Sequence, residues 1–188
     1  MYGRRDLRFI IGFGVVIVLV IIALVIILGH HPVTHHQRPL ESYTNDPTAQ
    51  IAMLIDGPVN AESKHNQVQV FINNTGTTIN TFRGYNDQVI NSKHYYLSVN
   101  GFHVLLRSLA YAGFMEGNSN PQLSEASGYC PTGNTYIFSL DDNGKQLQRY
   151  WTTDCGGTHT YNGDFQLTLS LFEAQVPDYS SLTSNLNL

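Results

Sequence analysis

Charge is what this chain has least of. Only 13% of its 188 residues are Asp, Glu, Lys or Arg. Basic residues are the scarcer kind: from Pro39 onward, Lys64, Arg83, Lys93, Arg107, Lys145 and Arg149 stand against thirteen Asp and Glu, a net charge of −7. Nucleic-acid binding depends on neutralising phosphates, so so acidic a segment argues against a nucleic-acid partner, and equally against lying flat on anionic lipid. Several reaction classes lose their signatures as well. There is no G-x-G-x-x-G, no Walker glycine loop, no H-E-x-x-H and no G-x-S-x-G, so nothing implies a dinucleotide, a nucleotide triphosphate, a catalytic zinc or a hydrolase elbow. No cofactor is implied. Low-complexity tracts and strict short repeats are also missing.

One long hydrophobic run is present. Residues 9–28 read FIIGFGVVIVLVIIALVIIL, 20 positions with no charge and no hydrogen-bonding side chain. At about 1.5 Å per residue a helix of that length spans roughly 30 Å, the hydrocarbon thickness of a bilayer. In lipid the backbone must satisfy its own N–H and C=O groups, which forces the helix despite the abundance of Val and Ile. Arg4, Arg5 and Arg8 precede the run and only Arg38 follows closely. That asymmetry predicts a cytoplasmic N-terminus (1–8), a signal anchor in the plasma membrane (9–28) and an exported remainder. The run exceeds the 7–15 residues of a cleaved signal peptide, and LGHHPVTHH offers no A-x-A-like site. A type IV pilin would carry a Glu near the start of such a helix, and this run has none.

Residues 29–50 hold Pro32, Pro39 and Pro47 with few apolar side chains, and read as a stalk. His30, His31, His35 and His36 within it are candidate metal ligands by residue type. Pro32 resists the helix that would align them and no Asp, Glu or Cys lies among them, so a neutral polar collar is preferred and no metal site is assigned.

The folded domain is expected over 51–179. A short apolar strand at 51–56 ends at Gly57-Pro58. Residues 67–73 alternate, with Val68, Val70 and Ile72 on one side; a turn at Asn74-Thr75-Gly76 leads into a strand at 78–85, and a weaker one follows at 88–94. Ser98 caps a helix running to Ala112 with Val99, Phe102, Leu105, Leu106 and Leu109 as its buried stripe, stopped by Gly113. A hairpin joins 135–140 to 146–152 through Asp141-Asp142-Asn143-Gly144, placing Tyr136, Phe138 and Leu140 on one face, and Leu147, Arg149 and Trp151 together on a face of the second strand. A second helix covers 164–175 and ends before Pro177, and 180–188 reads as a frayed tail. Strands followed by helices, without strict alternation, predict an α+β fold: a small antiparallel sheet with both helices on one face.

The stretches IDGPV (55–59), GYCPTG (128–133), YIFSL (136–140), QRYW (148–151), DCGG (154–157) and QVPDY (175–179) resemble a family of membrane-anchored exported proteins of candidate-phylum bacteria. The likeness runs over about 51–179 and implies one anchored exported domain; it implies no activity.

Cys130 and Cys155 bracket the hairpin in a segment expected outside the cytoplasm, where thiols oxidise, so a structural disulfide is the first expectation. The rival is an anchored thiol transpeptidase of the sortase type, with Cys155 as nucleophile and His94, His103 and Arg149 available. Against it, Arg149 precedes the cysteine where that family has it following. A zinc site from Cys130, Cys155 and His159 would want a fourth ligand. Tyr129, Tyr150, Trp151 and Tyr161 are a candidate contact surface for an extracytoplasmic protein or glycan, with strand packing as the competing use. The composite expectation is a binding or envelope-structural module.

Overall fold

Alternation at period two builds most of this molecule. In β2 (Asn66–Asn73) Val68, Val70 and Ile72 are wholly buried, and the residues between them face the other way. The same alternation in β1 (Gln50–Asp56) buries Ile51, Met53 and Ile55, and in β5 (Thr135–Asp142) it buries Tyr136, Phe138 and Leu140. With β3 (Gly76–Arg83), β4 (Gln88–Tyr96) and β6 (Lys145–Thr153) these form one six-stranded, fully antiparallel sheet in the order β4-β3-β2-β1-β5-β6. The computed structural model describes residues 38–188, which make one compact unit. The run 9–28 and His30, His31, His35 and His36 lie outside the described residues. Among the described residues no helix is long and apolar enough to cross a membrane.

Among the described residues each α-helix contributes to a single core on one face of the sheet. α1 (Val99–Tyr111) sends Phe102, Leu105, Leu106 and Leu109 into it; α2 (Phe165–Glu173) sends Phe172, with Val176 following. Ser98 caps α1 by accepting from Gly101 N at 3.1 Å, and Asp164 caps α2 by accepting from Leu167 N at 3.0 Å. Val99 departs from the expected stripe: it sits in the first turn, on the solvent side, and stays exposed. At the centre, Phe138 meets Tyr161 at 4.8 Å and Phe172 at 6.0 Å between ring centroids, with Phe114 and Phe165 just outside. The hairpin turn is two residues, Asn143 (φ 52°) and Gly144 (φ 71°), both left-handed as the strand twist requires.

Three boundaries move. Leu147 was expected beside Arg149 and Trp151, but a register shift after Leu140 leaves it unpaired and turns it toward the core. Residues 38–50, which the prolines suggested were stalk, belong to the domain. The short 3-10 turn Leu40–Tyr43 buries Leu40 and Tyr43 in the core, Arg38 lies over the Tyr43 ring, and Thr48 Oγ1 donates to Asp142. The C-terminal residues are docked, not frayed. α3 (Tyr179–Thr183) and the residues after it pack Leu182, Leu186 and Leu188 against the core, while Lys93 Nζ and Tyr95 Oη donate to the Asp178 carboxylate.

Glu173 closes α2 with its carboxyl partly buried, and burial holds its proton affinity above the ordinary 4.5. The folded state therefore binds that proton more tightly than the unfolded chain does. Stability linked to it is fully present below the unfolded value and is lost as pH rises through the folded one. Glu173→Gln should melt at or above the parent at pH 7, with the gap closing below about pH 4. A variant less stable than the parent at pH 7 would contradict this.

Candidate functional site

The second face of the sheet is where the chain leaves side chains unclaimed. Adjacent partners across the ladder place His94, Thr78, Phe71, Ala52, Ser139 and Arg149 in one row, and Ser92, Asn80, Gln69, Leu54, Ile137 and Trp151 in the next. Because the helices are committed to the opposite core, the cover here is the segment 118–133, and it reaches only the β5–β6 side. Over β1 to β4, Gln69, Phe71, Leu54, Thr78 and Asn80 remain half-buried, screened by one another and by no overlying element among the described residues.

That covering segment is tied down at four points. Trp151, wholly buried, donates from Nε1 to Leu123 O at 2.7 Å, and its ring lies 4.9 Å from that of Tyr129. Arg149 Nη1 donates to Ser124 O at 2.7 Å, and Val59 N donates to Pro131 O at 2.8 Å. The fourth tie is covalent: Cys130 and Cys155 form a disulfide with Cα atoms 5.6 Å apart across 25 positions of sequence. Gly133 approaches so closely that an added Cβ would stand 2.8 Å from Cys130 Sγ.

Among the four aromatics singled out as a contact surface, burial removes three. Tyr150 faces the helix core beside Phe138, Tyr161 is core and hydrogen-bonded to Thr168 Oγ1 at 2.6 Å, and Trp151 lies under the loop. Burial also raises the Tyr150 and Tyr161 phenols above their ordinary value. Tyr129 alone keeps an exposed flank, 41% of its surface, where it lies against Trp151 of β6. The signal that could have found the face was the polar half of each alternation: Gln67, Gln69, Thr78 and Asn80 are as periodic as the core residues.

The thiol chemistry does not assemble. Cys155 is spent in the disulfide, so no thiolate is free to attack, and the zinc reading loses both sulfurs with it. Strand order puts His94 at the far edge of the sheet from β6, about 24 Å at the usual spacing of strands. His103 lines a different surface, and Arg149 is occupied with Ser124 O. His159 is exposed, with Nδ1 2.7 Å from Gly157 O. Among the described residues no three His, Cys, Asp or Glu side chains gather as metal ligands.

Two depressions lie elsewhere. A polar one of about 490 Å³ at the β3–β4 turn is lined by Glu62, Ser63, Arg83, Gly84, Asn86 and Gln88, with Glu62 held by Asn86 at 2.7 Å. A mostly apolar groove of about 460 Å³ runs along α1 and α2, between Val104, Tyr111, Leu167 and Leu171. Neither brings a nucleophile to a base. No protein-family model matches this chain, and no curated protein matches it either.

Proposed function

We propose that this chain is a single-pass anchored protein, held in the plasma membrane by residues 9–28 with its N-terminus cytoplasmic. Its 38–188 domain then stands outside the cytoplasm and binds an extended, neutral glycan along the uncovered sheet face. The ligand class is carried by the make-up of that face. A glycan chain offers many hydroxyls, little charge and apolar C–H patches. Over β1 to β4 the two rows answer with amides and hydroxyls (Gln69, Asn80, Thr78, Ser92) around Phe71 and Leu54. Backbone strands hold these side chains on a rigid grid, so little freedom is lost on binding. The anchor half is supported by the 20-residue run, the arginines before it, and the disulfide that an oxidising compartment permits. With the domain starting at Arg38, only nine residues (29–37) separate run from domain.

Two measurements test the two halves. Protease added to intact cells should remove the domain and leave a small membrane-bound stub; a domain protected from outside would end the orientation argument. Detergent-solubilised full chain should co-sediment with at least one of insoluble chitin, cellulose and peptidoglycan sacculi. The double change Gln69→Ala/Phe71→Ala should cut the retained fraction about tenfold or more, equivalent to ~1.4 kcal/mol. Tyr111→Ala, on α1, should leave retention unchanged. No retention on any of the three, or equal loss from Tyr111→Ala, would end the glycan reading.

A further inference from the structure

The two edges of the sheet are finished differently. At β6 the outer edge is occupied at Trp151: Thr160 N and Tyr161 N both donate to Trp151 O, at 2.9 and 3.0 Å, Trp151 N donates to Thr160 Oγ1 at 2.8 Å, and Tyr161 in turn bridges to Gly117. At β4 no strand of the described residues lies outside. All nine residues, Gln88 to Tyr96, are exposed except Tyr95, which is half-buried. Val89 is 51% exposed, Ile90 40% and Tyr96 84%. An edge of that length presents a row of unpaired N–H and C=O groups, a template for another strand.

Of the usual guards, only a bulge is present here. There is no proline in β4, and its one charge, Lys93, is drawn to the helix side by the Asp178 carboxylate. The register shift between Thr81 and Phe82 leaves Ile90 unpaired with β3, which bends the strand and holds an apolar side chain in solvent.

We propose that β4 pairs antiparallel with β4 of a second copy, making a twelve-stranded sheet around a two-fold axis. A second copy fits on three grounds. Its edge has the same length and the same single charge, Lys93, which Asp178 pairs, so apart from the register centred on Lys93 itself no antiparallel alignment brings like charges opposite each other. Val89, Ile90 and Tyr96 would meet a surface as apolar as their own. And because the same strand is used on both sides, the pairing is isologous and closes at two copies instead of propagating into a fibre. The uncovered faces of both sheets would then run on into one another. This pairing does not depend on the ligand proposed above.

The test uses the detergent-solubilised full chain. Light scattering corrected for detergent should give two protein copies at tens of micromolar, and one for Val89→Lys/Ile90→Lys at an unchanged melting temperature, a rise of about tenfold or more in Kd. A nitroxide at Ser92→Cys, with Cys130–Cys155 left oxidised, should show an interspin distance under about 30 Å, the reach of nine extended residues. A label at Val59→Cys should not share that distance. A single copy for the parent, a dimer that survives both lysines, or no dipolar coupling at position 92 would each overturn the pairing. Should the lysine variant fail to fold, the Ser92 distance still decides.

Discussion

Phe138→Ala should cost about 3–5 kcal/mol of folding free energy, the range for emptying a fully buried aromatic site. Phe138 is the middle residue of β5 and its ring has no solvent exposure. It lies among the rings of Tyr161, Phe165, Phe172 and Phe114, which come from three separate segments of the chain. Those rings are held by backbone on α2, by the turn after α1 and by the β6-capping strand segment, so they cannot collapse into the hole together. Against a total stability of about 5–15 kcal/mol, that loss leaves a marginal domain. In chemical denaturation the midpoint should fall sharply with little change in slope. Phe138→Leu, which keeps most of the volume, should lose about 1–2 kcal/mol. A loss below ~1.5 kcal/mol for Ala would mean that the aromatic cluster does not organise this core.

The second large effect comes from the disulfide. Closing a loop of 25 residues restricts the unfolded chain by about 3.5 kcal/mol in the chain-entropy account. Reduction should therefore lower the melting temperature by roughly 10 °C in a domain of this size. Cys130→Ser and Cys155→Ser should be equally harmful, since either change removes the same bond. The chain has a single tryptophan, and it lies beneath the segment that the bond secures, so its emission should shift to the red on reduction before the sheet itself melts. Iodoacetamide on the native protein should label neither cysteine. Selective labelling of Cys155 with Cys130 untouched would show the bond to be absent and would reopen the thiol-enzyme reading.

Much of the sheet was legible because its apolar half is strictly periodic. Val68, Val70 and Ile72, and Tyr136, Phe138 and Leu140, were readable at sight, and so was Asn143-Gly144 between the hairpin strands. The first helix was legible from its cap, Ser98, and the second from the proline that ends it, Pro177. Other features were hidden because they depend on distant partners. Leu40 and Tyr43 look like linker residues until α1 supplies a surface for them, and Leu182, Leu186 and Leu188 look frayed until Asp178 is fixed by Lys93 and Tyr95. Tyr150, Trp151 and Tyr161 were ambiguous for the same reason: a half-polar aromatic serves a core or a surface equally well, and only the 118–133 segment and α2 decide which. The uncovered face was implicit in the polar half of each alternation, but no local pattern says that nothing will lie on top of it.

The order β4-β3-β2-β1-β5-β6 also dictates a sequence of events during folding. β1 through β4 form a meander of neighbours, so each strand can find its partner within a short loop, and that part can zip quickly. β1 is made first and yet stands in the middle of the finished sheet: its second edge waits for β5, with Asp56 pairing to Thr135 only after the whole of α1 and the long loop have been added. Closing that gap is the slow, entropically expensive step. Until it closes, the nascent four-strand sheet carries an open edge at β1 as well as at β4, and its apolar face lacks the helices that will cover it. A chain delivered N-terminus first would pass through that state on every round of synthesis. Its vulnerability to aggregation is therefore set by how soon β5 arrives, and less by the stability of the completed domain.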